Sequence, residues 1–173
     1  MLQTGDLKEA LRMEIITVPI TFPDNSNIII GQAHFIKTVE DLYEIMVTTV
    51  PGMKFGIAFN EASGPCLIRT EGNDEALIQC AAKNCQALGA GHVFVVVMQQ
   101  AYPINVLNSI KQCQEVCRVF CATANPVTAV VAKTDQGCGV LGVIDGFSPK
   151  GTETAQDRTD RQALLRNIIG YKK

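Results

Sequence analysis

Hydrophobic and polar positions alternate most cleanly between Met53 and Asn60. Met53, Phe55, Ile57 and Phe59 fall on one side of an extended chain, and Lys54, Gly56, Ala58 and Asn60 on the other. Period two is the signature of a strand packed on one face. His92–Met98 differs, being an almost unbroken β-branched run. That pattern predicts a central strand covered on both faces. Met13–Ile20 and Ile28–Ile36 read as strands joined by the turn Pro23-Asp24-Asn25-Ser26, and Cys66–Thr70, Val116–Ala122, Val127–Lys133 and Val140–Asp145 read as strands as well. His34 falls inside the second of these and is read as structural.

Four segments carry helical spacing. Thr38-x-x-Asp41 resembles a capping box, followed by Val39, Leu42, Met46 and Val50, with Pro51-Gly52 as the stop. Asn73 is the expected cap of a second helix, with Asp74 and Glu75 in its first turn and Gly89 at its end. Pro103 opens a short helix through Lys111, and a last helix runs from about Ala155 to Ile169, with an Asp157/Arg161 pair at i,i+4. Helices do not alternate strictly with strands, which disfavours a doubly wound sheet. The expected fold is α+β, a mixed sheet of about seven strands with helices packed on it. Residues 1–12 read as a polar extension and 13–173 as a single domain.

Composition narrows the function classes. Charged residues are 18% of the 173 positions, below the roughly 25% of ordinary soluble domains. A surface short of charge points to a homo-oligomer, and the small residues Gly56, Ala58, Ala122 and Ala124 are the expected contact faces. A net charge of −2 gives no field to hold nucleic acid. No apolar run approaches the ~20 residues of a membrane helix, and Met1–Leu11 has no apolar stretch of secretory length. A cytoplasmic protein is expected. The seven cysteines are odd in number and lack a Cys-x-x-Cys spacing, so they read as reduced core residues. Cys113, Cys117 and Cys121 would share a face on a continuous helix and suit a soft metal, but Val116, Val119 and Phe120 favour a strand. No metal site is assigned.

Several positions carry candidate chemistry. Glu61-Ala62-Ser63-Gly64-Pro65 ends a strand with a carboxylate, a hydroxyl and a tight turn; loops at strand ends commonly carry sites, but from the pattern alone an ordinary polar turn is the plainer reading. In Gly89-Ala90-Gly91-His92 a histidine enters the central strand just after two glycines that would let a ligand come close. It is a base, a phosphate-carrying nucleophile, a donor to substrate or a structural residue. Asn105 and Asn108 stand three apart at a helix start, where amides read a base edge, hold a phosphate or merely cap. Asn125 before Pro126 suits a turn, and Asp145 before Gly146 suits a turn or a general base. No phosphate loop and no Gly-x-Gly-x-x-Gly occur.

Lys54–Pro65, Glu71-Gly72-Asn73-Asp74, Gly89–Phe94, Tyr102–Asn108, Phe120–Pro126, Gly137–Asp145 and Arg166–Lys172 together resemble the adenosine-specific kinases, a small archaeal and bacterial family. The resemblance implies an adenosine- and AMP-binding trimer with an α+β fold, acting as a phosphotransferase on adenosine. The alternative is a binding or regulatory protein without turnover. ATP with Mg²⁺ is then the expected phosphate donor, with no organic cofactor. His92, Asp145 and Glu61 are the expected catalytic residues, and Ser63, Gly64, Asn105, Asn108, Thr123 and Asn125 the expected substrate contacts, near a subunit boundary. Asn60 stands where the family pattern has cysteine, and Cys66 where it has a basic residue.

Overall fold

A computed structural model describes residues 12–171; the expected polar extension at 1–12 lies almost wholly outside them. The elements in chain order are β1 (Glu14–Ile20), β2 (Asn27–Ala33), α1 (Thr38–Thr49), β3 (Lys54–Asn60), β4 (Ile68–Gly72), α2 (Glu75–Leu88), β5 (Val93–Gln99), α3 (Pro103–Gln112), β6 (Val116–Thr123), β7 (Val127–Lys133), β8 (Cys138–Asp145) and α4 (Ala155–Ala163), which runs into a π-helical turn, Leu164–Ile168. The α+β class holds. The eight strands form not one mixed sheet but two antiparallel ones, β4-β3-β5-β2-β6 and β1-β7-β8. Among the described residues no helix is long and apolar enough to cross a membrane.

β5 is buried on both faces because neither of its faces is polar. Val93, Val95 and Val97 point into one core with Leu77, Ala81, Cys85 and Leu88 of α2 and with Val127, Ala129 and Val131 of β7. Phe94, Val96 and Met98 point into the other, against Leu42 and Met46 of α1 and Val106 and Ile110 of α3. The molecule is therefore three layers: α1 and α3, the five-stranded sheet, then α2 beside the three-stranded sheet. Strand β3 follows the alternation read from its sequence, but both sides are covered. Phe55, Ile57 and Phe59 enter the α1/α3 core, and Ala58 faces α2.

Some local expectations are corrected. Gly56 and Ala58 are not a subunit contact face: a Cβ on Gly56 would lie 2.1 Å from the Ile78 nitrogen, and Ala58 is fully buried. Their small size lets α2 approach its own sheet. Asn73 does not cap α2. Its Oδ1 accepts the Phe55 N–H and its Nδ2 donates to the Met53 carbonyl, both at 2.8 Å, while Asp74 is the cap, accepting from Leu77 N–H at 3.3 Å. Residue Lys37, not Thr38, occupies the N-cap of α1, and Asp41 pairs with it at 2.6 Å. Strand β2 ends at Ala33, so His34 lies beyond it, exposed. Arg161 bonds Glu153 at 3.1 Å rather than Asp157, whose Oδ2 instead accepts the N–H of the cap residue Thr154 at 2.7 Å. Gly89 ends α2 in the left-handed conformation expected of it, φ 58°.

The Gly56 contact gives a direct test. Gly56→Ala forces a methyl group into the α2 backbone, which cannot yield as a side-chain end would, and is expected to cost at least about 3 kcal/mol in urea unfolding. Gly142→Ala, where nothing lies within 4 Å of the added carbon, is expected to change stability by less than about 0.5 kcal/mol.

Candidate functional site

His92 directly precedes β5 with a φ of 62°. A non-glycine residue seldom adopts this left-handed conformation, and such residues cluster at functional sites. Its N–H donates to the Asn60 carbonyl at 2.7 Å, and its own carbonyl accepts the Ala33 N–H at 2.9 Å. The residue is thus clamped between the last residues of β3 and β2. Its half-buried imidazole lies nearly parallel to the Phe59 ring, centroids 5.8 Å apart. Among the described residues neither ring nitrogen has a hydrogen-bond partner, so both are free to meet a ligand.

A cavity of about 700 Å³ opens at this sheet end, lined among others by Asn60, Glu61, Cys66, Gly91, Gly137 and Cys138. Its far wall is the β7–β8 tip, joined to the body by an Ala90–Cys138 bridge. Asn60 is buried; its Nδ2 donates to the carbonyls of Cys85 at 2.8 Å and Ala90 at 3.0 Å. Its Oδ1 has no partner, an acceptor left over beside the cavity. Glu61, by contrast, is fully engaged. The Leu67 N–H donates to its Oε2 at 2.8 Å, and Arg69 donates to its Oε1 from Nε at 2.8 Å and Nη2 at 2.7 Å. The Leu67 amide, with Arg69 adding to it, holds the Glu61 carboxyl below the usual carboxylate range against the opposing effect of burial. Glu61 therefore straps the loop shut. Ser63 and Gly64 sit exposed in that loop, where the Ser63 carbonyl accepts the Cys66 N–H at 3.3 Å. No lysine, arginine or histidine lines the cavity.

The remaining predicted residues gather at the other end of the strands. Asp145 Oδ1 accepts from Thr123 Oγ1 at 2.9 Å and from Asn125 Nδ2 at 3.1 Å, and the Asn125 N–H donates to Thr123 Oγ1 at 3.0 Å. Asn105 accepts the Tyr102 N–H at 2.9 Å, and Asn108 is exposed one turn further on. A second cavity, of about 680 Å³, lies between Phe22, Asn27, Tyr102, Ala124 and Pro126. Asn27 pairs with Met98 near the end of β5, whereas His92 stands before its start. A seven-residue strand spans roughly 20 Å, so within one chain His92 and Asp145 do not reach one small substrate. Sequence reasoning also passed over the lining supplied by Thr134, Gln136 and Cys138; the glycines flanking Cys138 were the available signal.

The three evenly spaced cysteines do not form a face. Cys113 caps the end of α3, Cys117 is exposed and Cys121 is buried in β6. Burial pushes the Cys121 thiol up to about 11 and raises Cys85 further.

The Glu61 strap has a pH signature. Its carboxyl is depressed in the fold, so the strap stabilises above the ordinary carboxylate pKa and is lost as pH falls through the lower folded value. The melting-temperature gap between the native chain and Glu61→Gln is expected to narrow from about pH 6 to about pH 3. A constant gap would mean that the charge of Glu61 does not hold the loop.

The family model described as adenosine specific kinase matches residues 18–172. The crystal structure of the PH1918 protein from Pyrococcus horikoshii OT3 is 45% identical, with a TM-score of 0.89, covering 94% of this chain and 99% of that one. No curated protein matches. With the family pattern spanning β1 to the last residues and the same fold in a 45% identical structure, the chain belongs to the adenosine-specific kinase family.

Proposed function

We propose that this chain binds adenosine or AMP in the cavity between the His92 end of the sheet and the β7–β8 tip, and that His92 faces the phosphate. The observation that carries the reading is the left-handed backbone at His92, held by the ends of β3 and β2 beside a cavity of about 700 Å³. Such strain persists only where the surroundings over-determine it. Gly91 and Gly137 bring uncovered backbone to the wall, and Asn60 Oδ1 offers an unused acceptor for an exocyclic amine or a hydroxyl. A wall without cations suits a nucleoside or monophosphate better than a triphosphate.

In the transfer reading, an unprotonated ring nitrogen of His92 attacks the terminal phosphorus of a donor such as ATP. The P–N bond forms as the P–O bond to ADP breaks and ADP leaves, and the phosphoryl group is then passed to a ribose hydroxyl. The P–N bond breaks as the P–O bond forms, and the hydroxyl proton leaves to solvent. The lining does not fit Mg²⁺, because Glu61 is its one carboxylate and spends both oxygens on Leu67 and Arg69. That same engagement favours the second reading, a nucleoside-binding protein without turnover. Asp145, Thr123 and Asn125 enter only if another subunit brings their end of the sheet to the cavity. Assembly into a homo-oligomer, a trimer as in the resemblance, is supported by Leu141, Ile144 and Phe147 on the outer edge strand and beyond it, exposed by 60%, 55% and 87%.

Calorimetry with adenosine, AMP, ADP and ATP, followed by a product assay, separates these readings. Adenosine and AMP are expected to bind and ADP and ATP to bind at least roughly tenfold more weakly. His92→Ala is expected to abolish product formation while adenosine binding remains; full phosphotransfer in that variant removes His92 from the chemistry. Binding without product in the native chain selects the second reading.

A further inference from the structure

Asp41, Cys113 and Glu115 come from three elements: the first turn of α1, the C-cap of α3 and the loop entering β6. One ligand atom from each lies within 4.8 Å of the other two. Glu115 is the informative member. It is 2% exposed, and its Oε1 has no hydrogen-bond partner. A buried carboxylate oxygen is costly unless paired or bound to a metal. The cation in reach, Lys37 Nζ, is 4.0 Å from that oxygen, too far for a hydrogen bond, and is committed to Asp41 Oδ2 at 2.6 Å. The Glu115 backbone is itself fixed, its carbonyl accepting the His34 N–H at 3.0 Å. A carboxylate held in place, buried and with an unpartnered oxygen lies close to a thiol and a second carboxylate.

We propose that Asp41, Cys113 and Glu115 bind one divalent cation of the zinc class, with Lys37 neutralising the carboxylates when no cation is bound. A thiolate in the set disfavours Mg²⁺ and Ca²⁺, which take oxygen ligands. Three protein ligands with a water in the fourth position make a tetrahedral Zn²⁺ site. Bond lengths of about 2.0–2.3 Å put ligand atoms roughly 3.3–3.8 Å apart, so the cluster closes by side-chain rotation of about an ångström. The Lys37 side chain is 46% exposed and swings aside into solvent. Binding releases the Cys113 proton to solvent. The cation then ties α1 and the α3–β6 loop to the sheet end where Ala33 holds His92.

The test uses the full chain stripped with a chelator and titrated with Co²⁺. One equivalent is expected to bind with a near-ultraviolet thiolate-to-cobalt charge-transfer band that Zn²⁺ abolishes and Mg²⁺ does not. Zn²⁺ is expected to raise the melting temperature of the native chain but not of Cys113→Ser, which also loses the band. Glu115→Gln, nearly isosteric, is expected to weaken binding at least roughly tenfold, and it decides the matter if Cys113→Ser fails to fold. Absence of the band, its survival in Cys113→Ser, or unchanged affinity in Glu115→Gln each overturns the proposal.

Discussion

Strand β5 has no polar face, and the architecture follows from covering it twice. Each fully buried large apolar side chain contributes about 1.5–3 kcal/mol over its exposed state, and β5 carries six buried ones in succession, Val93 to Met98. One sheet face needs α1 and α3; the other is too wide for α2 alone, so β1 and β7 fill the rest of it. Close approach of α2 depends in turn on Gly56, where no side chain can fit.

The same strand sets where chemistry is possible. Its interior is closed, so ligands can meet it only at its ends, and the two ends differ. At the start, Asn60, Ala33 and His92 share backbone hydrogen bonds across three strands, which fixes the backbone of His92 next to Gly91, a residue of the cavity wall. At the finish, Asp145 is occupied by Thr123 and Asn125 in what a single chain presents as a turn clasp. An orphaned acceptor, Asn60 Oδ1, lies at the first end. The first end holds both the strain and the unsatisfied polarity.

Periodicity made the strands and helices legible, because it reports which side of an element is buried. The alternation of β3, the double burial of β5, Gly89 as a left-handed stop and Pro103 at a helix start were all readable, whereas the covering of the second face of β3 was not. Which element lies opposite was not. Gly56 and Ala58 read as a subunit face and are the seat of α2, since small residues serve any close contact. Asn73 read as a cap because its bonds to Met53 and Phe55 connect positions about twenty apart, which spacing rules do not cover. Glu61 and Asp145 read as equivalent acids; only the fold shows one bound by Arg69 and the other some strand length away. The Asp41–Cys113–Glu115 cluster was invisible for the same reason, its members being assembled from separate elements.

The claim that ligand enters at the His92 end is tested most directly by a crystal structure of the AMP complex. The account expects the nucleotide between Gly91, Asn60 and the Gly137–Gly139 tip, with its phosphate toward His92. Nucleotide seated instead between Tyr102, Phe22 and Pro126, with the His92 cavity free of it, would contradict the account.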